Sequence, residues 1–208
     1  MKLTTSIAVA LATLTIPVAA LAHFNLVEPV PSLKQDERGD PQKLGPCGGT
    51  TAFPGEPSGV VTPVKGGQNL HIKINETIFH PGHFRIALAR TADKLPADPE
   101  TETRDTDKGP YSVSAKIDGA PKPPVIADGL FVHTEKPATP NVFETDIKIP
   151  NVNCADCTLQ VIQWMGNHGY NKDGGYTYHH CAALKITADP KMPADKLWAT
   201  GLGPAAKK

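Results

Sequence analysis

The sequence predicts an all-β sandwich with long loops, and three observations predict it. Twenty-one prolines and 18 glycines among 208 residues interrupt the chain too often for long helices. Several short segments alternate apolar and polar residues with the period of a half-buried strand. With 39% hydrophobic and 20% charged residues, the chain has the composition and length of a folded domain with a sizeable core.

The elements follow in chain order. Residues 1–22 read as a signal peptide: Lys2, an apolar run from Ile7 to Ile16, then Val18 to Ala22 with small Ala20 and Ala22 before the cut. The run is too short to span a bilayer comfortably, an uncleaved anchor being the alternative, and no second apolar span follows. The mature chain is therefore expected to start at His23, to be exported to the periplasm or beyond, and to carry no membrane span. Lys65-Gly66-Gly67-Gln68 reads as a tight turn. Leu70, Ile72 and Ile74 share one strand face; Phe84, Ile86 and Leu88 share another; Phe143, Thr145, Ile147 and Ile149 alternate likewise. The denser run Cys157–Met165 suits a central strand, and Tyr176–Thr187 a long closing one. Thr91–Gly109 and Asp118–Ala127 read as loops. Residues 189–208 form a tail with one short helix near Ala194–Thr200. A formal net charge of +0 leaves no basic excess for phosphates, so no nucleic-acid partner is expected.

The cysteines suit an oxidising compartment, and four of them allow three pairings. Cys154 and Cys157 have the spacing of a redox or zinc pair, but no second pair and no βαβ context accompany them. A local Cys154–Cys157 disulfide is the preferred reading. Cys47 and Cys181 would then join the N-terminal loop to the closing strand, stabilising by roughly 3–5 kcal/mol on the chain-entropy argument. A zinc site is the alternative.

The chemistry begins at His23. As a first residue, it offers an α-amine and an imidazole Nδ1 that close one chelate ring on a metal. One further imidazole would complete three nitrogens, a set that suits copper. Before cleavage the amine is an amide, so the signal peptide would also control when the site forms.

On Ala22-His23-Phe24, Cys47-Gly48-Gly49, His80-Pro81-Gly82-His83-Phe84-Arg85-Ile86-Ala87-Leu88, Leu159-Gln160-Val161-Ile162-Gln163-Trp164-Met165 and Tyr176-Thr177-Tyr178-His179-His180-Cys181-Ala182, the sequence resembles the lytic polysaccharide monooxygenases. It looks closest to a bacterial group described as monooxygenase-like. The resemblance covers residues 23–188 and implies an immunoglobulin-like or fibronectin-III-like sandwich carrying a histidine-brace copper site. It implies oxidative cleavage of glycosidic bonds, at C1 or C4, in an insoluble polysaccharide such as chitin or cellulose, with an external electron donor. It places the second copper ligand in the loop before a core strand, at His80 or alternatively His83. It places Tyr178 at the axial position and His168 beside the metal, to position an oxygen species or donate a proton. Adjacent His179 and His180 would need a strand bulge for both to reach one metal. Where fungal cellulose-active members carry a glutamine, this chain has Tyr176; Asn171 and Gln163 are other polar candidates. Tyr170 and Phe53 are candidates for the polymer-facing surface. The rival reading is a copper-binding protein of copper acquisition or homeostasis, whose partner is a copper-trafficking protein instead of a polymer; on either reading the chain is expected to be a monomer. A sandwich module without metal is the third.

Overall fold

The computed structural model describes residues 22–137 and 141–201; residues 1–21 of the expected signal peptide and the end of the tail lie outside them. The chain is nearly all β. A three-stranded sheet holds β1 (His23–Glu28), β3 (Asn69–Ile78) and β8 (Val142–Lys148), in the order β1-β3-β8. A five-stranded sheet holds β2 (Val61–Lys65), β4 (Gly82–Ala89), β7 (Val125–His133), β9 (Cys154–Met165) and β10 (Thr177–Thr187), in the order β2-β10-β9-β4-β7. The two sheets pack as a sandwich. Strands β5 (Thr101–Thr106) and β6 (Gly109–Ala115) form a separate hairpin, and α1 (Lys196–Gly201) is a short helix in the tail.

Alternation builds the core. Phe24, Leu26, Ile72, Ile74 and Ile147 point from the smaller sheet onto Phe84, Ile86, Leu88, Leu159, Val161, Ala182 and Leu184 of the larger. Phe24 meets Phe84 edge-on, with ring centroids 5.3 Å apart. The expected central strand is central, flanked by β10 on one side and β4 on the other, and it begins at Cys154. Lys65–Gln68 makes the expected turn between β2 and β3, closed by Gln68 N–H on the Lys65 carbonyl at 3.3 Å.

Both disulfides of the preferred reading are present, Cys47–Cys181 and Cys154–Cys157, and no cysteine is free. That removes the zinc alternative, because a thiol in a disulfide is no longer a thiolate ligand. Among the described residues, no helix is long and apolar enough to cross a membrane.

Two expected loops differ. Thr91–Gly109 contains a helical turn at Ala92–Lys94 and then β5, which pairs antiparallel with β6. β5 is exposed or half-exposed throughout, so no apolar face marks it in the sequence; its β-branched Thr101, Thr103 and Thr106 are the residual signal. Asp118–Ala127 ends inside β7, whose pairing with β4 slips at three places, so Ile126, Leu130 and Phe131 never fall into a simple alternation. Strands β1 and β2 add to the expected set. β2 is an edge strand parallel to β10, where Pro63 is tolerated.

Candidate metal centre

At one end of the sandwich the inward-facing positions change from aliphatic to polar. On β3 the series Leu70, Ile72, Ile74 continues with Glu76; on β9 Leu159 and Val161 continue with Gln163; on β10 Leu184 and Ala182 continue to His180 and Tyr178. The first residue of β1, His23, pairs with Ile78 at the end of β3, and His80 follows two residues later. Gly82 then starts β4 against Met165. A side chain on Gly82 would bring its Cβ within 2.0 Å of the Trp164 carbonyl oxygen, so the strand can join the sheet this soon after His80 only with glycine there.

Four of the expected site residues stand together. The His23 and Tyr178 rings meet edge-on at 5.4 Å between centroids, Tyr178 and His168 at 6.3 Å, and His168 and His80 at 4.8 Å. All four are buried. His83 does not join them. It stacks on Trp164 at 5.2 Å on the outer face of the large sheet, 4.0 Å from Asp128. Gly82 separates it from His80 by the alternation of the strand, and burial lowers its pKa there.

The register of β10 on β9 runs without a shift from Thr177 to Leu184, so the adjacent histidines part. His180 turns inward, its Nε2 2.9 Å from the Phe24 carbonyl oxygen, and burial pushes its pKa down to about 4. His179 turns outward, with Nε2 2.9 Å from Asp98 and Nδ1 3.2 Å from the Lys43 carbonyl oxygen. Neither reaches the cluster through a bulge.

The hydrogen bonds decide which atoms remain open. His23 Nε2 lies 3.0 Å from Asp40 Oδ2, and that bond is the main reason the Asp40 carboxyl is held below its usual range. His23 Nδ1 is buried with no hydrogen-bond partner, and so is His80 Nε2. Burial drives the His80 pKa down to about 4, with the neighbouring His168 adding to the shift and a hydrogen bond to the Phe79 backbone opposing it. His80 is thus neutral near pH 7, the state in which an imidazole can bind a metal. The Tyr178 hydroxyl has no hydrogen bond of good geometry, although Asn171 lies near enough to oppose slightly the rise to about 12 that burial causes.

His80 is held by a residue the sequence reading did not single out. Glu76, on β3, accepts the His80 backbone N–H at 3.1 Å, Gln163 Nε2 at 2.6 Å from β9, His133 Nε2 at 3.2 Å from β7, and the Asn141 side-chain amide. One carboxylate therefore joins both sheets beneath the site. Burial lowers the affinity of His133 for a proton, but its bonds to Glu76 and to backbone carbonyls outweigh that and raise its pKa. The signal was available: Glu76 continues the parity of Leu70, Ile72 and Ile74, a charge at a core position that needs partners.

The unexpected hairpin holds His168. Ser112 Oγ accepts the His168 N–H at 3.0 Å and donates to the Met165 carbonyl at 2.7 Å, while Ser112 N–H donates to the His168 carbonyl at 3.0 Å. His168 Nδ1 bonds the Gly169 carbonyl at 2.5 Å. Tyr176 turns towards the same hairpin, its hydroxyl donating to the Pro110 carbonyl at 3.3 Å. Tyr170 and Phe53 are exposed.

Among the described residues, no three His, Cys, Asp or Glu side chains gather closely enough to hold a metal. A histidine brace asks for less, two imidazoles and one amine, and the two orphaned nitrogens are of the kind it uses. No family model matches the sequence, and no curated protein matches it. Among solved structures, a lytic polysaccharide monooxygenase AA15 from Thermobia domestica in the Cu(I) state is similar at 20% identity and a TM-score of 0.39. The match covers 63% of this chain and 65% of that one, so the chain spans less than two thirds of that enzyme's length. The overlap is too loose to carry residues from one chain to the other.

Proposed function

We propose that this chain is an exported histidine-brace copper protein of the polysaccharide monooxygenase type, acting oxidatively on an insoluble polymer such as chitin or cellulose. One observation carries the reading: His23 Nδ1, beside Tyr178, and His80 Nε2, beside His168, are both buried at one end of the sandwich with no hydrogen-bond partner. A buried nitrogen without a partner is costly, and a metal is one way to satisfy it. Cleavage after Ala22 would free the His23 amine, which with Nδ1 forms a chelate ring; His80 Nε2 supplies the third nitrogen. Copper held there would supply one-electron chemistry, fed by an external donor, for attack at C1 or C4 of a glycosidic linkage. Tyr178 packs edge-on against the His23 ring and would wall the site on that side. His168, fixed by Ser112, would orient an oxygen species or pass a proton. The exposed Tyr170 and Phe53 would meet the polymer.

N-terminal sequencing of the exported chain should begin at His23; any other start removes the chelating amine and overturns the reading. His80→Ala should bind Cu(II) at least tenfold more weakly and abolish oxidised oligosaccharides from chitin or cellulose with ascorbate, read by mass spectrometry. Unchanged copper binding in that variant would move the second ligand elsewhere.

One observation favours a copper carrier without polymer chemistry. Tyr176, at the position where a glutamine would face the oxygen species, spends its hydroxyl on Pro110. Tight copper binding with no oxidised product would support the carrier, whose partner would be another copper-trafficking protein.

A further inference from the structure

We infer that Asp40 is the positioning residue that makes His23 a metal ligand through Nδ1: it fixes the ring's tautomer and strengthens the donor. The inference deepens the copper reading, on which its second half rests. An ionised carboxylate only accepts hydrogen bonds. At 3.0 Å from Asp40 Oδ2, His23 Nε2 must therefore carry a proton, so that in the neutral ring the lone pair lies on the buried, unpartnered Nδ1. A carboxylate behind a ligating imidazole orients the ring and raises its basicity.

The loop before Asp40 is built to hold that carboxylate in place. Asp36 Oδ1 accepts the backbone N–H groups of Arg38 at 2.8 Å and Asp40 at 2.9 Å, and Asp36 N–H returns to the Asp40 carbonyl at 2.9 Å. The turn is tied to β3 by Thr77, whose hydroxyl donates to the Arg38 carbonyl at 2.6 Å. It reaches β1 through Gly39, at φ +101°, where an added Cβ would stand 2.0 Å from the Phe24 carbonyl oxygen. That contact lies one residue from His23, so the close approach of the turn and the reach of Asp40 to the ring are one feature. Next in the chain, Gln42 Oε1 accepts the Phe24 N–H at 3.0 Å and fixes the backbone beside the ring.

The test begins without metal. In 15N-labelled exported protein freed of metal, NMR should show His23 protonated at Nε2 with a slowly exchanging ring proton, and Nδ1 bare. In Asp40→Ala that resonance should be lost to exchange, whereas a merely structural Asp40 would lower the melting temperature and leave it. Asp40→Ala and the near-isosteric Asp40→Asn should then each weaken Cu(II) binding about 10–100-fold and shift the Cu(II) paramagnetic resonance spectrum. A proton on Nδ1 of the wild-type ring, or copper affinity and spectrum unchanged in both variants, overturns the inference. If the wild-type protein shows the Nε2 proton and its loss in Asp40→Ala but takes up no copper, the role in fixing the tautomer stands and the copper reading fails.

Discussion

His80 and His23 close the same end of the sandwich from neighbouring stretches of chain, yet their supports differ in depth. Under His80 lies Glu76, fully buried, bonded to four donors and shared by both sheets. Beside His23 stands Asp40, whose side chain is 35% exposed and which sits on a loop folded back over β1. Glu76 is thus part of what holds the two sheets in register, whereas Asp40 can act on a single ring. On the proposed reading the same residue chemistry serves the fold in one place and a metal ligand in the other, and burial decides which.

The largest test of that contrast is Glu76→Ala. It strands the His80 N–H, the Gln163 and Asn141 amides and His133 without their acceptor in a buried position. A loss of about 3–5 kcal/mol in folding stability is expected, read by urea or thermal unfolding. A loss under ~1 kcal/mol would mean that water replaces the carboxylate and that the two sheets are joined by their apolar contacts alone.

Acid should expose the same asymmetry. His80 and His180 have pKa values pushed down to about 4, below the ordinary value of 6.5. The unfolded chain therefore binds their protons first, so their contribution is intact above pH 6.5 and is lost as pH falls from there to about 4. His133, raised by Glu76, acts in the other sense: its contribution is present at low pH and fades as pH rises through its folded value. His83, lowered by burial too, acts with His80 and His180, and three such groups against His133 predict a melting temperature that falls between pH 6.5 and 4. His180→Gln should flatten that slope; an equal slope in the variant would remove His180 from the account.

How far the sequence reaches follows the same division. Strands β3, β4, β8, β9 and β10 are legible because each sets an apolar face against the core, and that alternation is local information. The His23, His80, His168 and Tyr178 grouping came from a resemblance together with the chemistry of a first-residue histidine. The hairpin β5–β6 escaped because β5 has no apolar face and the Tyr111, Val113, Ala115 alternation of β6 is short, although it carries Ser112, which fixes His168. Glu76 could have been found by extending the parity of β3 by one step. Asp40 could not: it meets His23 across 17 residues through a turn whose course depends on the close approach at Gly39. A contact made by a folded-back loop leaves no periodic trace.

The smallest predicted effect on stability is also the sharpest on the comparison. Asp40→Asn keeps the shape of the side chain and removes its charge, and the partly exposed pair with His23 is worth less than about 1 kcal/mol to folding. Its unfolding midpoint should stay close to that of the wild type, while the copper binding proposed for His23 should change with the same substitution. If Asp40→Asn instead unfolded the chain as severely as Glu76→Ala, the two carboxylates would be doing the same work. The turn of residues 36–42 would then count as part of the core it covers, since a charge on a dispensable loop cannot cost as much as one that joins two sheets.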